Sequence, residues 1–300
     1  MRTTTKPTTR LRQLIEAPEI LVMPGVHDAL AARIAEQAGF KALTAGGYAS
    51  SAALLGRPDT SQLTMTEMAA HYGRLTQAID IPLFGDGDTG FGNPTNTART
   101  VRAYEQAGLA GMFIEDQVFP KRCGHMAGKA VVDLQTMLAK LAAALEARRD
   151  PDFVIMARTD ALAVEGLDAA IARGRAFAAL GADAVFVEAP RDEAQMARIT
   201  AEIPVPLMAN QVEGGLTPIL PPARLQDLGY AFVAYPVAAT YAAAHAFRQL
   251  YGSLAEHGTA AAMADRMLDF SAFNSLIGLP ELRDWEESML TKARVAGGGD

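Results

Sequence analysis

The sequence predicts an α/β protein of the (β/α)8 TIM-barrel class, with additional helices after the barrel. Eight short segments rich in apolar and β-branched residues recur along the chain, and Ala- and Leu-rich stretches separate them. This alternation is typical of a parallel sheet that is covered by helices. Several helix-like stretches end in Gly just before the next strand, as helix C-termini do. Because eight strand–helix units can be counted, a closed barrel is favoured over the alternative, an open doubly wound sheet.

The predicted strands run from residue 20 to residue 236. In chain order they cover 20–25, 41–46, 82–88, 111–117, 153–160, 184–190, 206–211 and 231–236. The helix-like stretches between them include 28–39, 94–108 and 167–183. In a barrel of this kind the active site is built at the C-terminal ends of the strands. Polar residues collect at these predicted ends: Asp86, Asp88, Glu115, Asp116, Arg158, Asp160, Glu188 and Asn210.

The domain organisation follows from the same pattern. We expect a flexible N-terminal segment over 1–10 and a barrel core over 11–237. Beyond it the chain is predicted to be mostly helical, over 238–292, and to exceed what one barrel needs. This region is therefore expected to pack on the barrel or on a neighbouring subunit. A disordered tail is expected over 293–300.

Composition narrows the function classes. The net charge of −7 argues against a nucleic-acid partner or an anionic membrane surface. The single cysteine excludes an intrachain disulfide and fits a reducing cytoplasm. The opening MRTTTKPTTR has no apolar core, so no secretory signal is expected. No apolar run approaches the ~20 residues of a membrane span.

Two carboxylates lie two residues apart in the stretch GDGDTGFGNP, residues 85–94. At an extended strand end, Asp86 and Asp88 would point the same way. Convergent carboxylates repel each other unless a cation joins them, and hard oxygen ligands suit Mg²⁺ or Mn²⁺. Glu115, at the next strand end, could hold a metal-bound water. The alternative is an ordinary Gly/Asp turn with solvated carboxylates.

Two further strand ends carry groups that suit an anionic ligand. Arg158 follows a predicted buried strand, and its guanidinium fits a carboxylate or a phosphate. The alternative is an internal ion pair with Glu188 or Asp160. Asn210 begins the Gly-rich stretch NQVEGGLTP, which would form either a ligand-binding loop or a turn.

The only cysteine lies in the polar stretch KRCGH, residues 121–125. Lys121 and Arg122 precede Cys123, and neighbouring cations are expected to lower the pKa of a thiol. The loop over 118–132 is long for a strand–helix connection, and long loops in compact domains are often active-site lids. A thiol on such a lid could act as a general acid or as a nucleophile. The alternative is an inert cysteine.

Together the motifs KRCGH, GDGDTGFGN, IEDQ, ARTDA and VEGGLTP resemble the isocitrate lyase/phosphoenolpyruvate mutase superfamily over residues 10–290. The cysteine motif is specific to its carbon–carbon lyase branch. The resemblance implies an α/β barrel that binds Mg²⁺ (or Mn²⁺) at the strand ends. It also implies a homotetramer in which a helix is exchanged between subunits. The implied reaction is retro-aldol or retro-Claisen cleavage of a 2-hydroxy or 2-oxo acid.

The resemblance also implies roles for particular residues. Cys123 matches the general acid that protonates the carbanionic product. At the position of Gly46 this chain departs from its relatives, which usually have Ser or Thr there. The implied metal site comprises Asp86, Asp88, Glu115 and Asp59. The implied substrate-binding residues are Gly46, Gly47, Tyr48, Gly124, Arg158, Glu188 and Asn210, and the implied catalytic residues are Cys123, Arg158, Lys121 and His125.

The motifs also bear on the substrate. Methylisocitrate lyases carry two Arg residues for an extra carboxylate where this chain has Tyr241 and Phe270. The stretches VEGG, CGHMAGKAVV and FNSLIGLPEL resemble dimethylmalate lyase and the petal death protein. A dicarboxylate of the 2,3-dialkylmalate type is therefore expected. The alternatives are 2-methylisocitrate, oxaloacetate (Pro236 replacing a Ser of the hydrolases), phosphonopyruvate chemistry, and a non-catalytic barrel that binds an acidic metabolite.

Overall fold

A computed structural model describes residues 5–126 and 128–297, so the predictions for residues 1–4 and 298–300 lie outside the described residues. Eight short strands lie inside the eight predicted segments and are shorter than predicted. They are β1 Leu21–Pro24, β2 Leu43–Ala45, β3 Leu83–Asp86, β4 Gly111–Glu115, β5 Val154–Thr159, β6 Ala184–Val187, β7 Met208–Asn210 and β8 Phe232–Tyr235.

All strand pairs are parallel, and the strand order is that of a (β/α)8 barrel. One sheet has the order β2-β3-β4-β5-β6 and the other the order β1-β8-β7. Parallel bridges Gly25–Thr44 and Val185–Leu207 connect β1 to β2 and β6 to β7. The backbone bonds Val26 N–H to Thr44 O and Val185 N–H to Pro206 O measure 2.9 and 3.0 Å. The predicted α/β barrel class is confirmed.

Helices separate the strands, as the sequence pattern predicts. The first unit, up to residue 241, contains α1 Pro7–Glu16, α2 Ala29–Gln37, α3 Gly47–Leu55, α4 Met65–Ala78, α5 Pro94–Gln106, α6 Leu134–Ala147, α7 Ala161–Val164, α8 Leu167–Leu180, α9 Glu193–Glu202 and α10 Pro222–Asp227. The next helix, α11 Ala238–His257, begins in this unit and continues into the second.

Apolar side chains fill both faces of the strands. One cluster includes Phe84, Met156, Phe186 and Phe232 and continues onto Leu11 of α1. A second, larger cluster joins the opposite face of the strands to the surrounding helices. Alternate residues of each strand thus enter one cluster or the other, which fixes the direction in which the strand-end polar side chains point.

The first helix corrects one domain boundary. The segment 1–10 was predicted to be flexible, but α1 begins at Pro7, a residue that favours the first helical turn. Thr8, Leu11 and Ile15 are buried on one face of α1, and this burial holds the helix in place. At the other terminus α13, Leu279–Ala296, extends into the predicted tail.

The second unit begins at residue 242. It contains most of α11, a 3₁₀ helix Ala261–Arg266, α12 Phe270–Leu276 and α13. None of the described residues 242–297 is buried in the single chain. Within the described part of the protein, no helix combines the length and the apolar character needed to cross a membrane.

Candidate active site

A cavity of about 80 Å³ lies at the C-terminal ends of the strands. Its lining brings together residues that are far apart in the sequence, from the loop after β2 to the start of α11. All of the predicted site residues line it except Asp88. They are Gly46, Gly47, Tyr48, Asp59, Asp86, Glu115, Lys121, Cys123, Gly124, His125, Arg158, Glu188 and Asn210.

At one end of the cavity, four buried carboxylates surround one ammonium group. The Lys121 Nζ lies 2.6 Å from Asp59 Oδ2 and 2.7 Å from Asp88 Oδ1. Burial alone would lower the pKa of Lys121, but the charges of Asp88, Asp86, Glu115 and Asp59 raise it well above its usual value. Lys121 is therefore a fixed positive charge among the carboxylates.

Asp88 does not follow the predicted geometry. Strand β3 ends at Asp86, and Asp88 has a left-handed backbone with φ of 47°. Its N–H donates to Asp86 Oδ1 at 2.8 Å, which turns the chain back on itself. The expectation that both side chains continue an extended strand was wrong, because this turn directs the Asp88 carboxylate to Lys121.

The carboxylates bear more negative charge than Lys121 can balance. Burial, with Asp86 and Asp59 nearby, raises the pKa of Asp88 to about 7 despite Lys121. Burial also raises the pKa of Glu115 well above its usual value, although Arg158 and Lys121 oppose the shift. The Glu115 Oε1 atom is buried and has no hydrogen-bond partner. A buried unpaired oxygen of this kind is costly unless a ligand satisfies it.

These oxygens fit a hard divalent cation. Asp86 and Glu115 line the cavity, and oxygen donors are what Mg²⁺ and Mn²⁺ prefer. Among the described residues, however, no group of three or more His, Cys, Asp or Glu side chains is gathered as a ready ligand set. The donor chemistry therefore suits the predicted metal, with water and substrate oxygens as the remaining ligands.

The N-terminus of α3 lies against this cluster. Gly46 caps the helix without a side chain, and the Gly47 N–H donates to Asp86 Oδ2 at 2.8 Å. A Cβ at Gly47 would lie 3.1 to 3.3 Å from Asp86 Oδ2, Lys121 Nζ and Asp59 Oδ2. Gly at this position lets the helix backbone approach the charged cluster.

Arg158 is at the centre of a second charged group. Its guanidinium lies 2.9 Å from Asp160 Oδ2, 2.9 Å from Glu188 Oε2 and 3.3 Å from Glu115 Oε2. It also lies over the Phe186 ring, 5.0 Å from the centroid. Arg158 thus forms the internal ion pairs that were the alternative prediction for it. It also lines the cavity, where a ligand could reach it.

Glu188 links Arg158 to two more predicted residues. The Asn210 Nδ2 donates to it at 3.4 Å, and the His125 Nε2 lies 3.2 Å from its Oε1. Burial would raise the pKa of Glu188, but Arg158 and then His125 hold it at about 2. Glu188 is therefore an ionised acceptor that orients its neighbours.

The cysteine loop, residues 118–132, contributes Lys121, Arg122, Cys123, Gly124 and His125 to the lining of the cavity. Its two ends pair with each other, since Val118 N–H donates to Ala130 O and Val132 N–H donates to Asp116 O, each at 2.8 Å. His125 Nδ1 accepts from the Leu216 N–H at 3.0 Å, which joins the cysteine loop to the NQVEGGLTP loop. A Cβ at Gly124 would collide with Arg158 and Glu188, so only Gly allows this approach.

The thiol is not activated as the sequence suggested. Burial raises the pKa of Cys123, and the backbone N–H of His125 opposes this rise only in part. The prediction of a lowered pKa was wrong, because Lys121 is directed to Asp59 and Asp88 and the Arg122 residue is exposed. A protonated thiol suits a general acid better than a nucleophile.

A sequence model described as phosphoenolpyruvate phosphomutase matches residues 11–255 of the chain. The chain belongs to the phosphoenolpyruvate mutase family. A 2,3-dimethylmalate lyase of Eubacterium barkeri is 45% identical over 94% of this chain and 98% of that protein. A probable 2-methylisocitrate lyase of Corynebacterium glutamicum is 43% identical over 94% of this chain and 91% of that protein.

Solved structures of the phosphoenolpyruvate mutase/isocitrate lyase superfamily share the fold. An oxaloacetate acetylhydrolase bound to 3,3-difluorooxalacetate has a TM-score of 0.87 and 33% identity, with 99% of each chain covered. A phosphonopyruvate hydrolase bound to oxalate and Mg²⁺ has a TM-score of 0.86 and 30% identity, with 95% of this chain and 100% of that chain covered.

The two residues that were expected to distinguish substrates within the family lie in different places. Tyr241 lines the cavity, and its ring lies 6.3 Å from that of Tyr48 in an edge-to-face contact. Phe270 begins α12 in the second unit and is 86% exposed. Apolar residues of β7 and β8 and of the segments that follow them also line the cavity: Met208, Val212, Ala234, Pro236 and Val237.

Several residues of this site were missed in the sequence. Gln117 holds the cysteine loop, because its amide accepts from Arg122 N–H at 3.1 Å and donates to Arg122 O at 2.9 Å. The Tyr104 hydroxyl donates to the Asp86 carbonyl at 3.1 Å. Lys129 pairs with Asp160. The position of Gln117 just after a strand end, in IEDQ, is a signal that could have indicated it, whereas no such signal marks Tyr104 or Lys129.

Proposed function

We propose that the protein is a divalent-metal-dependent carbon–carbon lyase. It would cleave a 2-hydroxy dicarboxylate of the 2,3-dialkylmalate type by retro-aldol chemistry, giving an oxo acid and a carboxylic acid. The observation that carries this proposal is the cavity lining, which combines carboxylates, Arg158 and Cys123 with apolar residues from β7, β8 and the segments that follow them. The 45% identity to a 2,3-dimethylmalate lyase supports the same substrate class.

The proposed metal is Mg²⁺, with Mn²⁺ as a substitute. Asp86 and Glu115 would hold it directly or through water, with Asp88 and Asp59 as supporting charges. When bound, the cation would act as a Lewis acid toward the C2 oxygen of the substrate. A related phosphonopyruvate hydrolase is described in complex with oxalate and Mg²⁺, which supports a divalent cation for this protein.

The protein groups then have separate tasks. The backbone at Gly47 and Tyr48, at the N-terminus of α3, would bind the oxo-acid end of the substrate. A base removes the C2 hydroxyl proton, the C2–C3 bond breaks, and C2 becomes a carbonyl carbon. Arg158 would stabilise the negative charge left on the other fragment, and the Cys123 thiol would donate its proton to C3. The cysteine loop would exclude water from this carbanion.

A second candidate is cleavage of 2-methylisocitrate, because the related probable 2-methylisocitrate lyase is almost as similar, at 43% identity. The third carboxylate of that substrate would meet Tyr241 where methylisocitrate lyases are expected to carry an Arg. Oxaloacetate hydrolysis is a third candidate, supported by the likeness to oxaloacetate acetylhydrolase.

A substrate panel decides between these candidates. We expect kcat/KM for 2,3-dimethylmalate to exceed that for 2-methylisocitrate by at least about 10²-fold, since an unpaired buried carboxylate costs about 3 kcal/mol or more. Both would be measured with Mg²⁺ under one set of conditions, with oxaloacetate included. Tyr241→Arg is the matched variant and should shift the preference toward 2-methylisocitrate. The reverse order for the unmodified protein would overturn the substrate assignment.

We also propose a cytoplasmic homotetramer. The single cysteine fits a reducing compartment. None of the described residues 242–297 is buried in the single chain, and large apolar side chains of this unit are exposed. Exposed apolar surfaces of this kind are typical of contacts with another subunit. The exposed side chains include Phe247, Tyr251, Phe270, Leu282, Trp285 and Leu290. Exchange of helices between subunits would cover them.

This assembly can be tested through the only tryptophan. Trp285 is 60% exposed in one chain, so burial at a subunit contact should shift its emission to shorter wavelength. Light scattering at micromolar concentration should give four times the 31.8 kDa chain mass. Trp285→Glu should lower the assembly mass. A single-chain mass together with solvent-exposed tryptophan emission would contradict the proposal.

A further inference from the structure

Lys129 is a buried cation that does not line the cavity. Its Nζ lies 2.8 Å from Asp160 Oδ1 and also donates to the Gly124 carbonyl. The side chains of Lys129 and Asp160 are only 3% and 0% exposed. A buried ammonium is retained where carboxylate and carbonyl acceptors satisfy it, and here the acceptors belong to two different parts of the fold.

One acceptor belongs to the charged group around Arg158. Asp160 receives Arg158 Nε on Oδ2 at 2.9 Å and Arg158 Nη2 on Oδ1 at 3.2 Å. Lys129 and Arg158 therefore share Asp160 Oδ1. The Asp160 backbone N–H in turn donates to Asp116 Oδ1 at 2.9 Å, which anchors Asp160 to the end of β4.

The other acceptor lies next to the thiol. Gly124 follows Cys123 directly and is packed so closely on Arg158 and Glu188 that a Cβ would collide with both. Lys129 thus connects the middle of the cysteine loop to the C-terminal end of β5. The loop is also held by Gln117 at Arg122, by the ion pairs of Lys121 and by the His125–Leu216 hydrogen bond, and its ends are held by their own backbone pairs. Of these contacts and the Lys129 bridge, only the bridge binds the carbonyl of the residue that follows Cys123.

We propose that Lys129 is a positioning residue that holds the cysteine loop over the cavity through Asp160 and Gly124, and so fixes Cys123 relative to the substrate. The expected effect of Lys129 on turnover rests on the proposed lyase function. The position of the loop itself can be measured without any substrate. Misplacement of a catalytic group by about 1 Å can cost on the order of 10²-fold in rate.

The first measurement is the alkylation rate of the only cysteine by iodoacetamide, in the protein without metal or substrate. Lys129→Met is expected to raise this rate about tenfold, because release of the loop exposes a half-buried thiol. Lys129→Arg should stay near the wild-type rate, since it can still pair with Asp160. Lys41→Met is the matched control, because Lys41 is an exposed lysine whose partner, Glu19, does not line the cavity.

The second measurement is turnover of 2,3-dimethylmalate with Mg²⁺. Lys129→Met should lower kcat on the order of 10²-fold with a much smaller change in KM, and Lys129→Arg should restore most of it. An unchanged alkylation rate in folded Lys129→Met would overturn the proposal, as would an equal acceleration in Lys41→Met. If no substrate is turned over by the wild type but alkylation responds as expected, the lyase assignment fails and the role of Lys129 stands.

Discussion

Replacing Cys123 with serine is expected to lower kcat by about 10²–10⁴-fold, the usual contribution of a positioned acid or base. Serine keeps the size of the side chain, but its hydroxyl is a far weaker acid than a thiol. Burial raises the pKa of Cys123, so the thiol is protonated at neutral pH and carries the proton that the carbanion needs. Substrate binding should change much less, because Arg158 and the Gly47 backbone do not depend on the thiol.

The measurement is kcat and KM for the wild type, Cys123→Ser and Cys123→Ala, with thermal unfolding as a check on the fold. If acidity is what is lost, the two variants should be impaired to a similar extent, since neither supplies an acid of suitable strength. A kcat near the wild-type value in Cys123→Ser would make the thiol a bystander. The raised pKa also predicts slow alkylation of Cys123 in the free protein, in contrast to the lowered pKa expected from the neighbouring cations.

The strands of the barrel could be predicted because each is a short apolar run that is buried on both faces. Their order follows from eight successive strand–helix units, and the site follows from the polar residues at the strand ends. The cavity accordingly contains Asp86, Glu115, Arg158, Glu188 and Asn210. The family motifs contributed what periodicity could not, namely Asp59 and the α3 N-terminus.

What could not be predicted depends on contacts between distant residues. Lys121 and Arg122 both precede Cys123, yet Lys121 is directed away to Asp59 and Asp88. A sequence shows which charges are neighbours in the chain, but the pKa of a thiol depends on which charges are neighbours in space. The direction of the Asp88 side chain could not be predicted either. Side chains alternate between two faces only within a strand, and Asp88 lies in a turn after the end of β3.

Arg158 illustrates how the two alternatives from the sequence combine. It is paired internally with Asp160, Glu188 and Glu115, and it still lines the cavity. Asp160 and Glu188 each lie 2.9 Å from the guanidinium, and Lys129 shares Asp160 with it. Arg158 is therefore pre-oriented by Asp160 and Glu188 before a substrate carboxylate binds.

Removal of the metal is expected to abolish turnover. Asp86 is the residue on which binding of the metal is expected to depend most. Asp86→Asn removes the charge that would bind the cation. Its single oxygen can accept from the Gly47 N–H or the Asp88 N–H but not from both, because these groups donate to different oxygens of Asp86. Loss of about 4 kcal/mol of transition-state stabilisation corresponds to roughly 10³-fold in kcat/KM. Asp86→Asn should therefore lose activity while still unfolding cooperatively without metal, at a temperature lowered by the loss of one hydrogen bond.

The same experiment separates a metal site from a purely ionic cluster. In the unmodified protein, a chelator should remove activity, and Mg²⁺ or Mn²⁺ should restore it. Binding to the folded state alone should also stabilise the wild type by about 2.7 kcal/mol at a metal concentration of 100 Kd. Asp86→Asn should show little of this stabilisation, whereas Glu19→Gln, which alters a carboxylate that does not line the cavity, should show all of it. Full activity of the wild type in excess chelator would mean that Lys121 alone balances the carboxylates and that the reaction needs no divalent cation.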